Sequence, residues 1–286
     1  MDKASTALMQ SRKIRLNKRT QMVIVVGIAL FFLAVVTLAG IFMDPLAYGA
    51  DYSAKRLAPS SEHLFGTDYL GRDMFYRTVK GLSTSVLIGL LAAFISSIIA
   101  LVLGILSATF GGKTDQFINW LVDLCMGVPH LILLILISIM LGGGVQGVVI
   151  GVAVTHWPNL TRVVRAEVMQ IRSAHYVQVA RKFGKSRWAI AKDHIIPHVF
   201  PQYIVGLILL FPHAILHEAG ITFLGYGLPL DMPAIGIILS ESMKHLATGM
   251  WWLAFFPGLA LLLVVILFDT IGDYLKMLID PFEAHE

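Results

Sequence analysis

The sequence is 286 residues long, and 57% of these residues are hydrophobic whereas only 14% are charged. A water-soluble globule cannot hide so much apolar surface, so the composition excludes a soluble globular domain. Cys125 is the single cysteine, which excludes an internal disulfide and a zinc site built from cysteines. Apolar runs close to the ~20 residues needed to cross a bilayer recur along the chain and indicate a polytopic membrane protein.

Positive charges are concentrated before the first apolar run. Six lysines and arginines fall within residues 1–21, against the single acid Asp2. Because basic residues accumulate on the cytoplasmic side of membrane proteins, we assign 1–21 as a cytoplasmic N-terminal tail and 22–43 as the first transmembrane helix. This run is too long for the core of a signal peptide, so we expect a retained helix.

The following elements come from the alternation of apolar runs and polar turns. Residues 44–82 are polar and contain proline and glycine, so we predict a loop on the outer face. The second span is predicted at 83–110 and the third at 117–141, where Pro129 interrupts it. The run at 145–157 is short for a span, but a fourth crossing there is needed to keep the strongly basic stretch 159–198 in the cytoplasm.

Two further spans complete the predicted topology. The fifth is predicted at 199–224, with Pro201 and Pro212 as kinks, and the sixth begins beside Trp251 and Trp252, a pair typical of the membrane interface. Residues 83–273 would then form a five-helix core and 274–286 a cytoplasmic tail. The predicted fold is all-α, a polytopic membrane bundle of six transmembrane helices.

The basic stretch 159–198 is long for a connection between spans, which indicates a structured element that faces a partner. Apolar positions recur at helical spacing up to Gly184 and resume at Trp188. We therefore predict two short helices around a glycine. Periodicity alone leaves open a basic amphipathic segment that lies on anionic lipid.

The stretch contains Gln178-Val179-Ala180, then Gly184 after three further residues, and later Ile196-Pro197. This spacing is similar to the EAA loop of bacterial ABC importer permeases, although Gln178, Val179 and Ile196 stand where that family usually has Glu, Ala and Leu. The resemblance implies a type I ABC importer permease fold, in which 159–198 is the coupling loop of the permease core and 176–188 seats on an ATPase subunit. The residues implied in coupling are Tyr176, Gln178, Val179, Ala180, Gly184, Trp188 and Pro197.

The outer loop contains the run His63-Leu64-Phe65-Gly66-Thr67-Asp68, followed by Gly71-Arg72-Asp73, and we call it the outer-face motif. This run resembles the second permease subunit of the dipeptide, oligopeptide and nickel group of ABC importers. Glycines permit turns with unusual backbone angles, and the acids can pair with an arginine or cap a helix. We expect this motif to shape the loop rather than to bind solute. Its residues are His63, Gly66, Thr67, Asp68, Gly71, Arg72 and Asp73.

The family resemblance also implies partners. The chain contains no G-x-x-x-x-G-K-[ST] phosphate-binding loop, so we expect it to bind no cofactor and to be no enzyme, with ATP used by separate subunits. The implied assembly contains a homologous second permease subunit, two ATPase subunits and an external solute-binding protein, and no nucleic acid. It would lie in the lipid bilayer of the bacterial cytoplasmic (inner) membrane, with both termini of this chain cytoplasmic.

Three ionisable residues of the fifth span, His213, His217 and Glu218, are candidates for the transport path because such groups are costly in a membrane. His213 and His217 lie four apart, so their imidazoles can share one helix face, a spacing suited to a metal ion. A hydrogen-bonded pair across the bundle is the open alternative. The string from Pro212 to Gly220 resembles nickel-type permeases, so we predict import of nickel or a metal–metallophore complex, with di- or oligopeptide import as the alternative.

Two remote alternatives belong to other functional classes. An intramembrane metalloprotease would need an H-E-x-x-H helix, which His217 and Glu218 do not continue. A secondary carrier usually contains inverted repeats, and the sequence has no clear internal repeat.

Overall fold

The computed structural model describes residues 18–279, and this part of the chain is almost entirely helical. The β pairing within it is a single antiparallel bridge between Thr67 and Asp73. The predicted all-α fold is therefore confirmed. Most of the predicted N-terminal tail (1–21) and the end of the predicted C-terminal tail (274–286) lie outside the described residues.

The helices follow one another with short connections, except for the long segment between the first two. Short 3₁₀ turns lie at Pro45–Tyr48 and Leu246–Thr248, and a π turn at Ala191–Ile195 joins α7 to α8. The α-helices are α1 (Lys18–Ile41), α2 (Met74–Phe110), α3 (Gly112–Gly127), α4 (His130–Met140), α5 (Gly144–Ser173), α6 (His175–Lys182), α7 (Arg187–Ile190), α8 (Ile196–Phe223), α9 (Ile235–Met243) and α10 (Trp252–Ile279).

The described helices supply four or five candidate membrane spans. α1, α2, α10 and the continuous helical stretch Trp188–Phe223 are each long and apolar enough to cross a membrane. α3 and α4 add a fifth candidate if they are taken together as one broken span. The two helices are bent by 95° at the break between them. α5 has 30 residues, enough to cross at ~1.5 Å per residue, but it is too polar to meet the same criterion. The predicted count of six is therefore not confirmed.

The largest departure from the predicted boundaries is in α5. We predicted a span that ends at Trp157 and a loop from 159, whereas the helix continues through Pro158 to Ser173. The reason is a buried stripe at helical spacing, formed by Val164, Val168 and Ile171, which packs into the protein core. Basic charge on the other side of this helix concealed the stripe. The connecting segment proper therefore begins at α6.

The helix α2 is central and packs against α1, α5 and α8. Small residues allow these close approaches: a Cβ added at Gly104 would lie 2.7 Å from a side-chain methyl of Val164, and one at Gly40 would lie 2.3 Å from Ser83 Cβ. Close backbone contact of this kind is a common way to associate helices in lipid, where the hydrophobic effect contributes little. The α1 helix presents large apolar side chains outward, as expected of a lipid-facing helix.

Candidate functional site

The outer-face motif folds into a compact turn that leads into α2. Gly66 and Gly71 have φ angles of +70° and +80°, which favour glycine. A Cβ at Gly71 would also lie 1.7 Å from the carbonyl oxygen of Asp51, so no larger residue fits. The Thr67 hydroxyl, buried beside these turns, donates to the carbonyl of Ala54 at 2.5 Å. These contacts hold the loop in one conformation.

Asp73 is the N-cap of α2 and explains why this helix begins well before the predicted residue 83. One carboxylate oxygen accepts the backbone N–H of Phe75 at 2.8 Å and that of Tyr76 at 3.4 Å. The other oxygen lies 2.7 Å from His63 Nδ1. The capping role that the sequence suggested for an acid of this motif is thus filled by Asp73.

A partly buried network of charges connects the outer-face motif to α9. Asp68 Oδ2 accepts from Arg72 Nε at 2.5 Å and from Arg77 at 3.3 Å, and Glu241 Oε2 accepts from the same two guanidinium groups at 2.9 and 2.6 Å. Burial disfavours the charged form of Arg72, but the Asp68 and Glu241 carboxylates outweigh it and raise the pKa of this guanidinium. Sequence reasoning missed Glu241, because nothing local marks a partner so distant in the chain.

The α6–α7 segment (residues 175–190) contains the predicted glycine between two short helices. Gly184 has φ +81°, and the backbone N–H groups of Gly184 and Lys185 donate to the carbonyls of Arg181 and Ala180 at 3.0 and 3.2 Å. This is the Schellman arrangement that ends a helix, and it requires a left-handed residue just after the cap. Gly184 therefore stops α6 at a defined residue.

One face of the α6–α7 segment is exposed and apolar. Phe183 and Trp188 are 85% and 66% exposed, and Tyr176 and Val179 are about half exposed, whereas Val177 is buried and anchors α6. The remaining predicted coupling residues have other surroundings. The Gln178 amide donates to the Ser173 carbonyl at 2.9 Å, Ala180 is partly buried, and Pro197 is exposed in the first turn of α8.

A cavity of about 820 Å³ lies where the break between α3 and α4 meets α5 and α8. Val128 is extended, as expected of a residue before proline, so α3 ends there and α4 leaves at 95°. The break faces residues 155–163 of α5 and residues 202–217 of α8 across the cavity, and Lys276 of α10 completes the lining.

Three histidines from three helices meet in the wall of this cavity, and we call His130, His156 and His217 the histidine cluster. One ring nitrogen of each lies within 4.8 Å of one from each of the others. The ring centroid of His130 lies 4.5 Å from that of His156 and 4.5 Å from that of His217. The centroids of His156 and His217 are 5.0 Å apart. The cluster exists because the break after Pro129 places His130 at the start of α4.

The three residues predicted for the transport path have different surroundings in the structure. His217 joins the histidine cluster, and His213 lines the cavity with an exposed side chain but is not part of the cluster. Glu218 does not line the cavity; it is fully buried and accepts a hydrogen bond from Thr222 Oγ1 at 3.1 Å. Sequence reasoning did not select His130 or His156 as a site residue. Their common signal is an ionisable side chain within an apolar run.

Sequence comparison relates most of the chain to known transport proteins. Residues 100–281 match the family of the binding-protein-dependent transport system inner membrane component. The dipeptide transport system permease protein DppC of Bacillus subtilis (strain 168) is 31% identical over 94% of this chain and 84% of the relative. The probable D,D-dipeptide transport system permease protein DdpC of Escherichia coli (strain K12) is 34% identical over 83% of this chain and 79% of the relative.

Comparison with solved structures identifies the fold. The MetNI methionine ABC transporter in inward-facing conformations aligns with a TM-score of 0.58 and 19% identity, over 70% of this chain and 94% of that chain. An amino acid ABC transporter crystallised with histidines aligns with a TM-score of 0.54 and 15% identity, over 72% and 92%. At such low identity these alignments establish the fold alone. They identify a permease fold of the type I ABC importers.

These comparisons agree with the described helices on the class of the molecule. The relatives are permease proteins of transport systems, so this chain is a membrane transport component and not an enzyme. It is a multi-pass membrane protein that acts within a multi-subunit importer. The chain belongs to the binding-protein-dependent inner membrane components, as an ABC importer permease of the peptide group.

Proposed function

We propose that this chain is a permease subunit of an ATP-driven importer for di- or oligopeptides. The observation that carries this proposal is similarity over nearly the whole chain to permeases named for dipeptides and oligopeptides, at 31% and 32% identity. A peptide solute therefore has better support than the nickel that we predicted from the sequence. None of the relatives named above is named for nickel.

The cavity supports this proposal by its size and its lining. Ligand pockets commonly have volumes of about 300–1,000 Å³ and few polar groups among many apolar ones. The cavity, at about 820 Å³, falls in this range, and its polar lining includes Asn159, Gln202 and Lys276. These side chains can hydrogen-bond peptide amides and pair with a terminal carboxylate. A weakly selective path of this kind suits a solute delivered by an external binding protein.

The α6–α7 segment supports a coupling role in the same proposal. Exposed aromatic side chains such as Phe183 and Trp188 are costly on a surface in water and are typical anchors of protein interfaces. We assign this surface to an ATPase subunit, which puts it in the cytoplasm. The full assembly would contain a homologous second permease, two ATPase subunits and an external solute-binding protein. It would lie in the bacterial inner membrane, with six crossings and both termini of this chain inside.

A metal-containing solute remains a second candidate because of one observation. The histidine cluster faces the proposed solute path, and imidazole is a common ligand of transition metals. This candidate depends on His130, His156 and His217 rather than on the His213 and His217 pair.

Uptake by intact cells tests the proposed function. Host cells that lack this gene, complemented with the wild-type gene, should accumulate radiolabelled dialanine in an ATP-dependent manner, and the deletion strain should not. Excess unlabelled dialanine should compete with the labelled dialanine for uptake. Restoration of Ni²⁺ uptake without restoration of dialanine uptake would contradict the proposal and favour the nickel prediction.

A further inference from the structure

The histidine cluster contains two ring nitrogens that a packing role does not explain. The Nε2 atoms of His130 and His156 are buried and have no hydrogen-bond partner within residues 18–279. A buried polar atom without a hydrogen-bond partner destabilises the folded protein, so it needs an explanation. The two atoms lie on different helices but in the same cluster, so one bound ligand accounts for both of them. Hydrogen bonding across the bundle, the alternative considered for histidines here, does not satisfy these two atoms.

His156 is held in the tautomer that a metal ligand needs. Its Nδ1 lies 2.9 Å from the backbone carbonyl oxygen of Val152. A carbonyl only accepts hydrogen bonds, so the neutral ring carries its proton on Nδ1 and has a free lone pair on Nε2. Metal-binding histidines commonly donate their second N–H to a carbonyl in this way, which fixes the ring orientation and increases the basicity of the ligating nitrogen.

We propose that His130, His156 and His217 form a three-histidine site for a divalent first-row transition-metal ion on the solute path. This inference rests on the proposed function, since it takes the cavity as that path. One nitrogen from each ring lies within 4.8 Å of the others, and tetrahedral ligation with metal–nitrogen bonds of ~2.0–2.1 Å requires ~3.3–3.4 Å between nitrogens. Ligation therefore requires the three rings to approach one another by up to about 1.5 Å.

The site has the composition of a transport site rather than of a permanent structural one. Three protein ligands leave further coordination positions open, and the cavity beside them can admit amine or carboxylate groups of a peptide that chelates the ion. No aspartate or glutamate lines the cavity in the described part of the chain, so the protein does not neutralise the charge of the ion. Binding should therefore be moderate, as passage requires a solute to enter and to leave.

Metal binding to the full chain tests the inference directly. We would purify it without a polyhistidine tag, insert it into lipid nanodiscs and titrate with Ni²⁺ and, separately, with Mg²⁺. One Ni²⁺ per chain should bind with a micromolar dissociation constant, and X-ray absorption should detect three imidazole ligands. Mg²⁺ should not bind, because it prefers oxygen ligands. Absence of stoichiometric Ni²⁺ binding, or a shell with fewer than three imidazoles, would overturn the proposal.

Matched histidine variants identify the ligands. His130→Gln and His156→Gln should each raise the Ni²⁺ dissociation constant at least tenfold. His213→Gln, in the same cavity but outside the cluster, and His175→Gln, exposed on α6, should change it by less than twofold. Weakening by His213→Gln with no effect of His130→Gln would overturn the cluster in favour of the adjacent pair on α8. The absorption spectrum of the wild type decides the matter if a variant does not fold.

The two proposals can fail separately. If Ni²⁺ binds through three imidazoles but dialanine uptake is absent, the peptide function fails and the metal site stands. If dialanine uptake is normal and Ni²⁺ does not bind, the metal site fails and the peptide function stands.

Discussion

The outer-face motif and the α6–α7 segment both carry a family resemblance, but the protein holds them in very different ways. The outer-face motif is attached to the body by partly buried ion pairs, in which Arg72 of the motif and Arg77 of α2 both bind Glu241 on α9. The α6–α7 segment is anchored by the buried side chains of Val177 and Ile190 and has exposed side chains at Phe183 and Trp188. A motif whose polar groups are satisfied internally indicates a structural role, whereas one that leaves apolar groups uncovered indicates a partner.

The largest effect should come from Arg77→Met, which removes one cation from the buried network. Asp68 is nearly inaccessible, so the change leaves carboxylates in a poorly solvated site with Arg72 as the remaining cation. Breaking a buried ion pair on one side costs about 3–5 kcal/mol. Unfolding by heat and by SDS in detergent micelles would measure the loss.

The control for this change is Arg162→Met, which removes an exposed pair with Asp123 at 2.7 Å. Exposed pairs contribute about 0–1 kcal/mol. Equal destabilisation by the two substitutions would contradict the structural role assigned to the outer-face network.

An intermediate effect is expected for Phe183→Asp, which places a charge on the exposed face of the α6–α7 segment. Its side chain is 85% exposed in this chain, so folding should be unaffected. The substitution would remove an aromatic side chain that docking to an ATPase subunit would bury. We expect at least a tenfold loss of ATPase subunit recovered with this chain, or about 1.4 kcal/mol. Co-purification would measure the loss.

Leu230→Asp provides the control, because Leu230 is also a strongly exposed apolar residue and lies in the connection between α8 and α9. It should retain the ATPase subunit. Normal recovery with Phe183→Asp, or equal loss with both changes, would remove the support for docking at α6.

The smallest effect is expected for Gly184→Ala, because this substitution strains only the backbone conformation. A Cβ there would meet no atom within 4 Å, so Gly184→Ala should lose about 1 kcal/mol through its φ of +81°. This corresponds to roughly a fivefold reduction in dialanine uptake if the α6 end must be formed for coupling. Gly184→Asn should retain most uptake, since asparagine tolerates this conformation. Equal uptake by Gly184→Ala and the wild type would show that the glycine stop is dispensable.

Local sequence patterns were sufficient for the class of this protein and for several of its turns. Apolar runs predicted membrane helices because lipid requires long apolar segments whatever their neighbours are. The glycine between α6 and α7 and the capping acid before α2 were also predictable, since a left-handed turn and an N-cap are decided within a few residues. The helical continuation to Ser173 was not predicted, because basic side chains on one face concealed a buried stripe on the other.

The sequence by itself thus predicted a multi-pass, all-helical membrane protein and, through its family resemblance, a permease with a glycine-ended helix within the predicted coupling loop. Only the tertiary structure decided which distant side chains meet. Arg77 finds Glu241 across the packed helices, and the break at Pro129 brings His130 to His156 and His217. The physical reason is that periodicity reports which face of a helix is buried, whereas contacts between helices depend on how those faces pack. Of the predicted pair of histidines on α8, only His217 lies in the histidine cluster, together with His130 of α4 and His156 of α5.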